Sequence, residues 1–140
     1  MAAEYGRKRE DLVKLYRATI EKAWPGQGAK LETKDKELTF ELVESKDYVV
    51  ADLSPLKNIP LTRLSIEETK VSDLTPLKGM PLTWLQIGSG NRGLFVSDVT
   101  PLKGMPLQSL NLTRTKVSDL TPLKGMPLKL MYVPKRNVRD

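Results

Sequence analysis

Val71-Ser72-Asp73-Leu74-Thr75-Pro76-Leu77-Lys78-Gly79-Met80-Pro81-Leu82 returns letter for letter at Val117 to Leu128, and with one change, Val99 for the leucine, at Val96 to Leu107. A shorter version, Ser54-Pro55-Leu56-Lys57, comes before them. The anchors Ser54, Thr75, Thr100 and Thr121 are separated by 21, 25 and 21 residues. A fixed period of this size, with leucines at set offsets, marks a stack of structural repeats, none of which can bury its apolar face alone.

Outward from that stretch, the preceding string from Leu61, LTRLSIEET, sets Leu61, Leu64 and Ile66 in an L-x-x-L-x-L pattern. Alternation sends Leu64 and Ile66 to one side and Arg63, Ser65 and Glu67 to the other, which is a short strand. Thr75-Pro76 reads as a helix N-cap followed by proline at the first helical position, and Gly79 ends the piece. So little chain lies between cap and glycine that the segment is expected to be a 3₁₀-like turn. Strands stacked at about 4.8 Å complete one another's leucine layers, and both ends of such a stack need a cap.

At the N-terminus, residues 7 to 24 place Leu12, Tyr16, Thr19 and Ala23 on one helical face with Leu15 and Ile20 beside them, and Pro25-Gly26 stops the helix. Lys36 to Val43 alternates Leu38, Phe40 and Leu42, a strand that starts the sheet and pairs in a hairpin with Lys30 to Thr33. The expected organisation is a cap over 1–47, repeats over 48–133 and a tail over 134–140, all in one structural domain. After Leu128 to Val133 the fourth strand has no return turn, only Pro134 to Asp140. The expectation at that end is either continuation in a longer chain or a homodimer formed through the C-terminal edge, because an open strand edge invites pairing.

The L-x-x-L-x-L strand followed by V-S-D-L-T-P-L-K-G-M resembles bacterial leucine-rich repeats of the internalin-like kind, and is closer still to the repeats of planctomycete leucine-rich-repeat proteins. The likeness runs from Val50 to Val133 and extends weakly to Trp24-Pro25-Gly26-Gln27-Gly28, similar to a turn that precedes such repeats. It implies an α/β fold: a short right-handed leucine-rich-repeat solenoid with a parallel concave sheet and an N-terminal helix and strand cap. It also implies use of the concave sheet for binding proteins. Thr69 and Thr115 depart from the family by standing where many such repeats carry an asparagine ladder. The planctomycete repeats often follow a protein kinase, which makes a structural or regulatory appendage of a larger protein the alternative role, although no kinase motif occurs in the 140 residues.

Composition narrows the chemistry. The chain has no cysteine and no histidine, so disulfides, thiolate metal sites, cysteine nucleophiles and histidine-based acid–base catalysis are excluded together. A non-catalytic protein with no cofactor and no metal is expected. The start carries no basic segment followed by an apolar run, and no stretch approaches the ~18 apolar residues of a membrane span, so the chain is expected in the cytoplasm without a membrane role. Its net charge of +6 lies beyond residue 47, where thirteen basic side chains face seven acidic ones.

Candidate binding residues are those at which the repeat stops repeating. The outward columns read Arg63, Trp84, Ser109, Leu130; then Ser65, Gln86, Asn111, Tyr132; then Glu67, Gly88, Thr113, Pro134. Tryptophan, tyrosine and arginine dominate interface hot spots, which singles out Arg63, Trp84 and Tyr132 with Gln86 and Asn111 beside them. The bland reading is that Trp84 packs on a neighbour and that Tyr132 and Leu130 merely cover the end of the stack. The four additional residues of the second repeat fall in Gly88 to Phe95, an edge loop that offers Arg92 and Phe95 as contacts. Its G-x-G-x-x-G spelling leads into the next repeat and not into a long helix, so dinucleotide binding does not follow. Lys57, Lys78, Lys103 and Lys124 form a basic column that a nucleic acid could use. The column alternates with Asp52, Asp73, Asp98 and Asp119 and has no interleaved aromatics, so a protein is the expected partner.

Overall fold

A computed structural model describes residues 2–43, 45–67, 69–88 and 95–134. Helix α1 (Ala2–Ala23) leads into an antiparallel hairpin, β1 (Glu32–Lys34) and β2 (Glu37–Glu41). Four further strands follow, β3 (Arg63–Ser65), β4 (Trp84–Gly88), β5 (Ser109–Leu112) and β6 (Leu130–Tyr132). They join one six-stranded sheet in chain order, and every pair from β2 to β6 is parallel. Between strands the chain returns through three-residue 3₁₀ turns at Ser54–Leu56, Thr75–Leu77, Thr100–Leu102 and Thr121–Leu123.

The leucine pattern builds the interior in layers. Leu61, Leu64 and Ile66 of one repeat lie beside Leu82, Leu85 and Ile87 of the next and Leu107, Leu110 and Leu112 of the third, all at 1% exposure or less. The returning segments add Leu53, Leu74 and Val99 and, one turn on, Leu56, Leu77 and Leu102. Layers are also stitched by backbone at the start of each strand. The Thr62 carbonyl accepts from the amides of Thr83 and Trp84, the Thr83 carbonyl from Gln108 and Ser109, and the Gln108 carbonyl from Lys129 and Leu130.

Thr75 is not the N-cap that its sequence position suggests. The capping residue is Leu74, which has no side-chain cap bond, and the acceptor is one residue earlier. The Asp73 carboxylate accepts from the Thr75 amide at 2.8 Å and the Thr75 hydroxyl at 2.5 Å. Asp52 with Ser54 and Asp98 with Thr100 make the same pair of bonds, and Asp119 accepts from the Thr121 amide. A carboxylate accepts from amide and hydroxyl together, whereas a threonine hydroxyl satisfies only one of the orphan donors at a turn start. Gly79, Gly104 and Gly125 then leave each turn at φ near +80°, and Asn58 takes that conformation in the first repeat at φ 69°. Glycine adopts it freely, and asparagine tolerates it better than other residues.

Thr69 and Thr115 fix the turns that follow β3 and β5. Each is 7% exposed, donates its hydroxyl to the carbonyl three residues back (Ile66 at 2.8 Å, Leu112 at 2.7 Å), and accepts from the amide two residues ahead at 3.4 Å.

The cap covers the first layer with a helical stripe that keeps Tyr16 and Ile20 of the expected set but not the rest. Val13, Ile20 and Trp24 are buried and Tyr16 packs partly against the core, whereas Leu12 and Leu15 are 47% and 62% exposed and Thr19 and Ala23 face solvent. Spacings of seven and four keep Val13, Ile20 and Trp24 on one stripe, which lets the Trp24 ring stack on Phe40 of β2 at 6.3 Å between centroids. The turn after the helix is fixed by the Glu21 carboxylate, which accepts from the amides of Gly26 and Gly28. Buried Gln27 then donates to the Val43 carbonyl and accepts from its amide, and Tyr48 donates to the Pro25 carbonyl.

The four aspartates lie below their ordinary carboxylate range, 3.8, because the neighbouring hydroxyl, and then the backbone amide, bind the ionised form. A folded-state value below the unfolded one adds stability that is complete above the unfolded value and disappears as pH falls through the folded one. The urea midpoint should therefore hold steady above about pH 5 and decline below about pH 4. Asp73→Asn, which keeps an acceptor but cannot titrate, should shorten that acid decline, as followed by circular dichroism.

Candidate functional site

The sheet register sets the exposed face. β2, β3 and β4 align Thr39 with Arg63 and Trp84, and Glu41 with Ser65 and Gln86. β5 and β6 continue these columns through Ser109 and Leu130, and through Asn111 and Tyr132. The first two columns read from the sequence are thus present in the fold, each lengthened by a residue of β2. The third is broken. Between Gln86 and Gly88 the register shifts, so that Gly88 pairs with Leu112 and not with Thr113.

That shift has a steric cause. A Cβ on Gly88 would stand 1.7 Å from the Thr113 carbonyl oxygen, so only glycine allows the two backbones to approach. The bulge sits where the second repeat carries its additional residues. Residues 89–94, Arg92 among them, lie outside the described residues. Phe95 is 45% exposed, with the Lys116 ammonium 5.8 Å from its ring centroid.

On the face itself Trp84 is half-buried, and the Arg63 guanidinium carbon lies over its ring, 4.7 Å from the centroid. The indole faces away from the leucine layers, because its chain neighbour Leu85 fills the interior at that level. Arginine over an indole is held by cation–π attraction, which ties the two side chains together across β3 and β4. Next to them Gln86 donates to the Glu67 carboxylate at 2.9 Å, and the Asn111 side-chain oxygen accepts from the Thr113 amide at 2.9 Å. Arg63, Trp84 and Gln86 therefore meet in one place, whereas Asn111 and Tyr132 belong to the strands beyond.

The face deepens toward the cap into an open groove of about 580 Å³, whose walls come from the loop after α1, from β2 and from β3–β4. Glu32, Glu41 and Glu67 line it together with Lys30 and Arg63. Its floor includes Ser65, which is 4% exposed and whose hydroxyl has no hydrogen-bond partner among the described residues. Sequence reasoning overlooked Thr39 and Glu41. The signal was available in the alternation of Glu37 to Glu41, but assigning that strand to a parallel partner required the sheet order.

At the far end Leu130, Met131 and Tyr132 are 49%, 39% and 52% exposed. Met131 occupies the inward position held at 1% exposure or less by Leu64, Leu85 and Leu110. Lys57, Lys78, Lys103 and Lys124 are exposed, as are the four turn-capping aspartates. Among the described residues no three histidine, cysteine or acidic side chains cluster as a metal would need, and no helix is long and apolar enough to cross a membrane.

The repeat layers have a counterpart of known structure. Internalin C2 from Listeria monocytogenes matches with a TM-score of 0.54 and 31% sequence identity over 61% of this chain. The fold is of the α/β leucine-rich-repeat type. The match spans 38% of the length of that internalin, and a planctomycete origin has no support from it. No protein-family model and no curated protein matches the sequence.

Ser65 provides a local test. A buried hydroxyl without a partner has lost its water for no return, a cost of about 1–3 kcal/mol. Ser65→Ala should accordingly leave stability unchanged or raise it by up to about 1 kcal/mol in a urea titration, and a loss above that would reveal a bond made by the hydroxyl.

Proposed function

We propose that the chain is a non-catalytic protein-interaction module: a short right-handed solenoid that holds a partner protein on its concave sheet, with the edge loop at 88–95 as a flanking contact. The observation that carries this reading is the Arg63–Trp84 pair. It lies on the face where residues between the repeated leucines are free to differ, at a position with no core function, and in a preset orientation. Aromatic and arginine groups already paired with each other make effective interface anchors because less side-chain freedom remains to be lost on binding. Gln86, Asn111 and Tyr132 extend the contact along the sheet, and Arg92 and Phe95 extend it at the edge. The likeness to an internalin agrees with an interaction role.

Trp84→Ala should leave the fold intact, since Leu85 and not the indole fills the layer. It should weaken partner capture by about 2 kcal/mol or more, some thirtyfold. Quantitative affinity capture from extracts of the source organism, comparing wild type with Trp84→Ala, checks this. Identical protein profiles for the two baits would remove the concave-face reading.

A second reading, self-association, is favoured by the exposed β6 residues Leu130, Met131 and Tyr132 at a strand edge with no outer partner among the described residues. Antiparallel pairing of two copies would cover both edges. Sedimentation equilibrium should then show a dimer that Met131→Lys converts to monomer, whereas a monomeric wild type at high concentration would dismiss it.

A further inference from the structure

A second groove, of about 470 Å³, runs between α1, the β1–β2 turn and the proline edge at which the strands begin. Its floor is apolar and is formed by Leu12, Val13, Tyr16 and Leu38, with Pro60 and Pro81 as one wall. Leu12 stays 47% exposed here while its neighbour Val13 is sealed at 4%, so the floor is open and not simply part of the core. Among the described residues the charged side chains that line it, Lys8, Arg9 and Lys36, are all cations. Arg9 is held in place by neutral acceptors, the Thr33 hydroxyl at 3.0 Å and the Glu37 carbonyl at 3.5 Å. The concave groove, by contrast, mixes carboxylates with cations.

The hydrogen-bonding capacity of this second groove limits what it can hold. Its prolines have no N–H, and β2 is paired on both sides, by β1 and β3. The Thr62 hydroxyl is already engaged with the amide and carbonyl of Leu38, at 3.1 and 3.2 Å. An extended peptide would bring an amide and a carbonyl per residue against a wall that answers few of them, and each unpaired group is costly. An occupant suited to the groove is apolar along its length and polar at one end, with that end negative. The volume falls within the range of small-molecule sites, about 300–1,000 Å³.

We propose that this groove binds a single-chain anionic amphiphile of the fatty-acid class, its chain lying over Leu12, Tyr16 and Leu38 and its head group met by Lys8, Arg9 and Lys36. The site is separate from the concave face and stands whether or not that face binds protein.

Titration of the isotope-labelled full chain with dodecanoate, and separately with dodecyltrimethylammonium, both below micelle formation, tests it by amide chemical shifts. Dodecanoate should give saturable shifts centred on Leu12, Val13, Tyr16 and Leu38, and the cationic amphiphile should bind about fivefold or more weakly, the scale of two or three exposed charge contacts. Lys8→Glu with Lys36→Glu, both at exposed positions, should invert that order at the same site. Leu12→Asp should weaken both amphiphiles while the far-ultraviolet spectrum stays unchanged. Equal affinity for the two head groups would overturn the proposal, as would shifts centred on the concave face or on β6. So would saturable filling of the groove by an acidic amphipathic helical peptide with no response to dodecanoate.

Discussion

Everything in this molecule depends on one shortage: a single repeat has too few apolar side chains to offset the entropy of ordering its own backbone. The layers therefore exist only as neighbours. Leu64, Leu85 and Leu110 are dry because each has a leucine beside it across a parallel strand pair, and the same pairing satisfies the backbone groups between them. Cooperation between layers makes the two ends special. At one end α1 and the hairpin close the stack, with Trp24 stacked on Phe40 and Gln27 tied to Val43. At the other, Met131 shows what an inward residue looks like without a further layer beyond it among the described residues.

The repeat architecture was legible in the sequence because it is written several times over. The strand–3₁₀-turn alternation follows from spacing that noise cannot mimic and the cap hairpin from the alternation of Leu38, Phe40 and Leu42, whereas the parallel order is what the resemblance to leucine-rich repeats implied. What was not legible is what each element appears in only once or what depends on contact across layers. The helix is an example: Leu12 and Leu15 have the apolar chemistry of a core face, but the side of α1 that packs on the rest of the chain buries Val13, Ile20 and, just past its end, Trp24. The turn cap is another. Threonine before proline is a standard helix start, yet the aspartate two positions earlier competes with better acceptor geometry and wins at Thr75, Thr100 and Thr121.

The exposed face of the sheet was legible to a similar depth. Strand periodicity put Arg63, Trp84, Gln86, Asn111 and Tyr132 on one side without any coordinates. It could not show that the Arg63 guanidinium covers the Trp84 ring, that Gln86 is turned toward Glu67, or that Glu41 joins the column from the cap. Those facts arise from register between strands that are distant in sequence. The broken third column has the same origin, since a one-residue shift in pairing changes which side chains are neighbours.

The bulge at Gly88 has a wider meaning for how such a chain can vary. Four residues enter the second repeat, yet β5 still pairs with Trp84, Leu85 and Gln86 as if nothing had been added. A missing side chain thus uncouples loop length from layer spacing. That makes the margin of the sheet a port through which segments of differing size can be exchanged, by natural divergence or by grafting, without retuning the leucines that hold the stack.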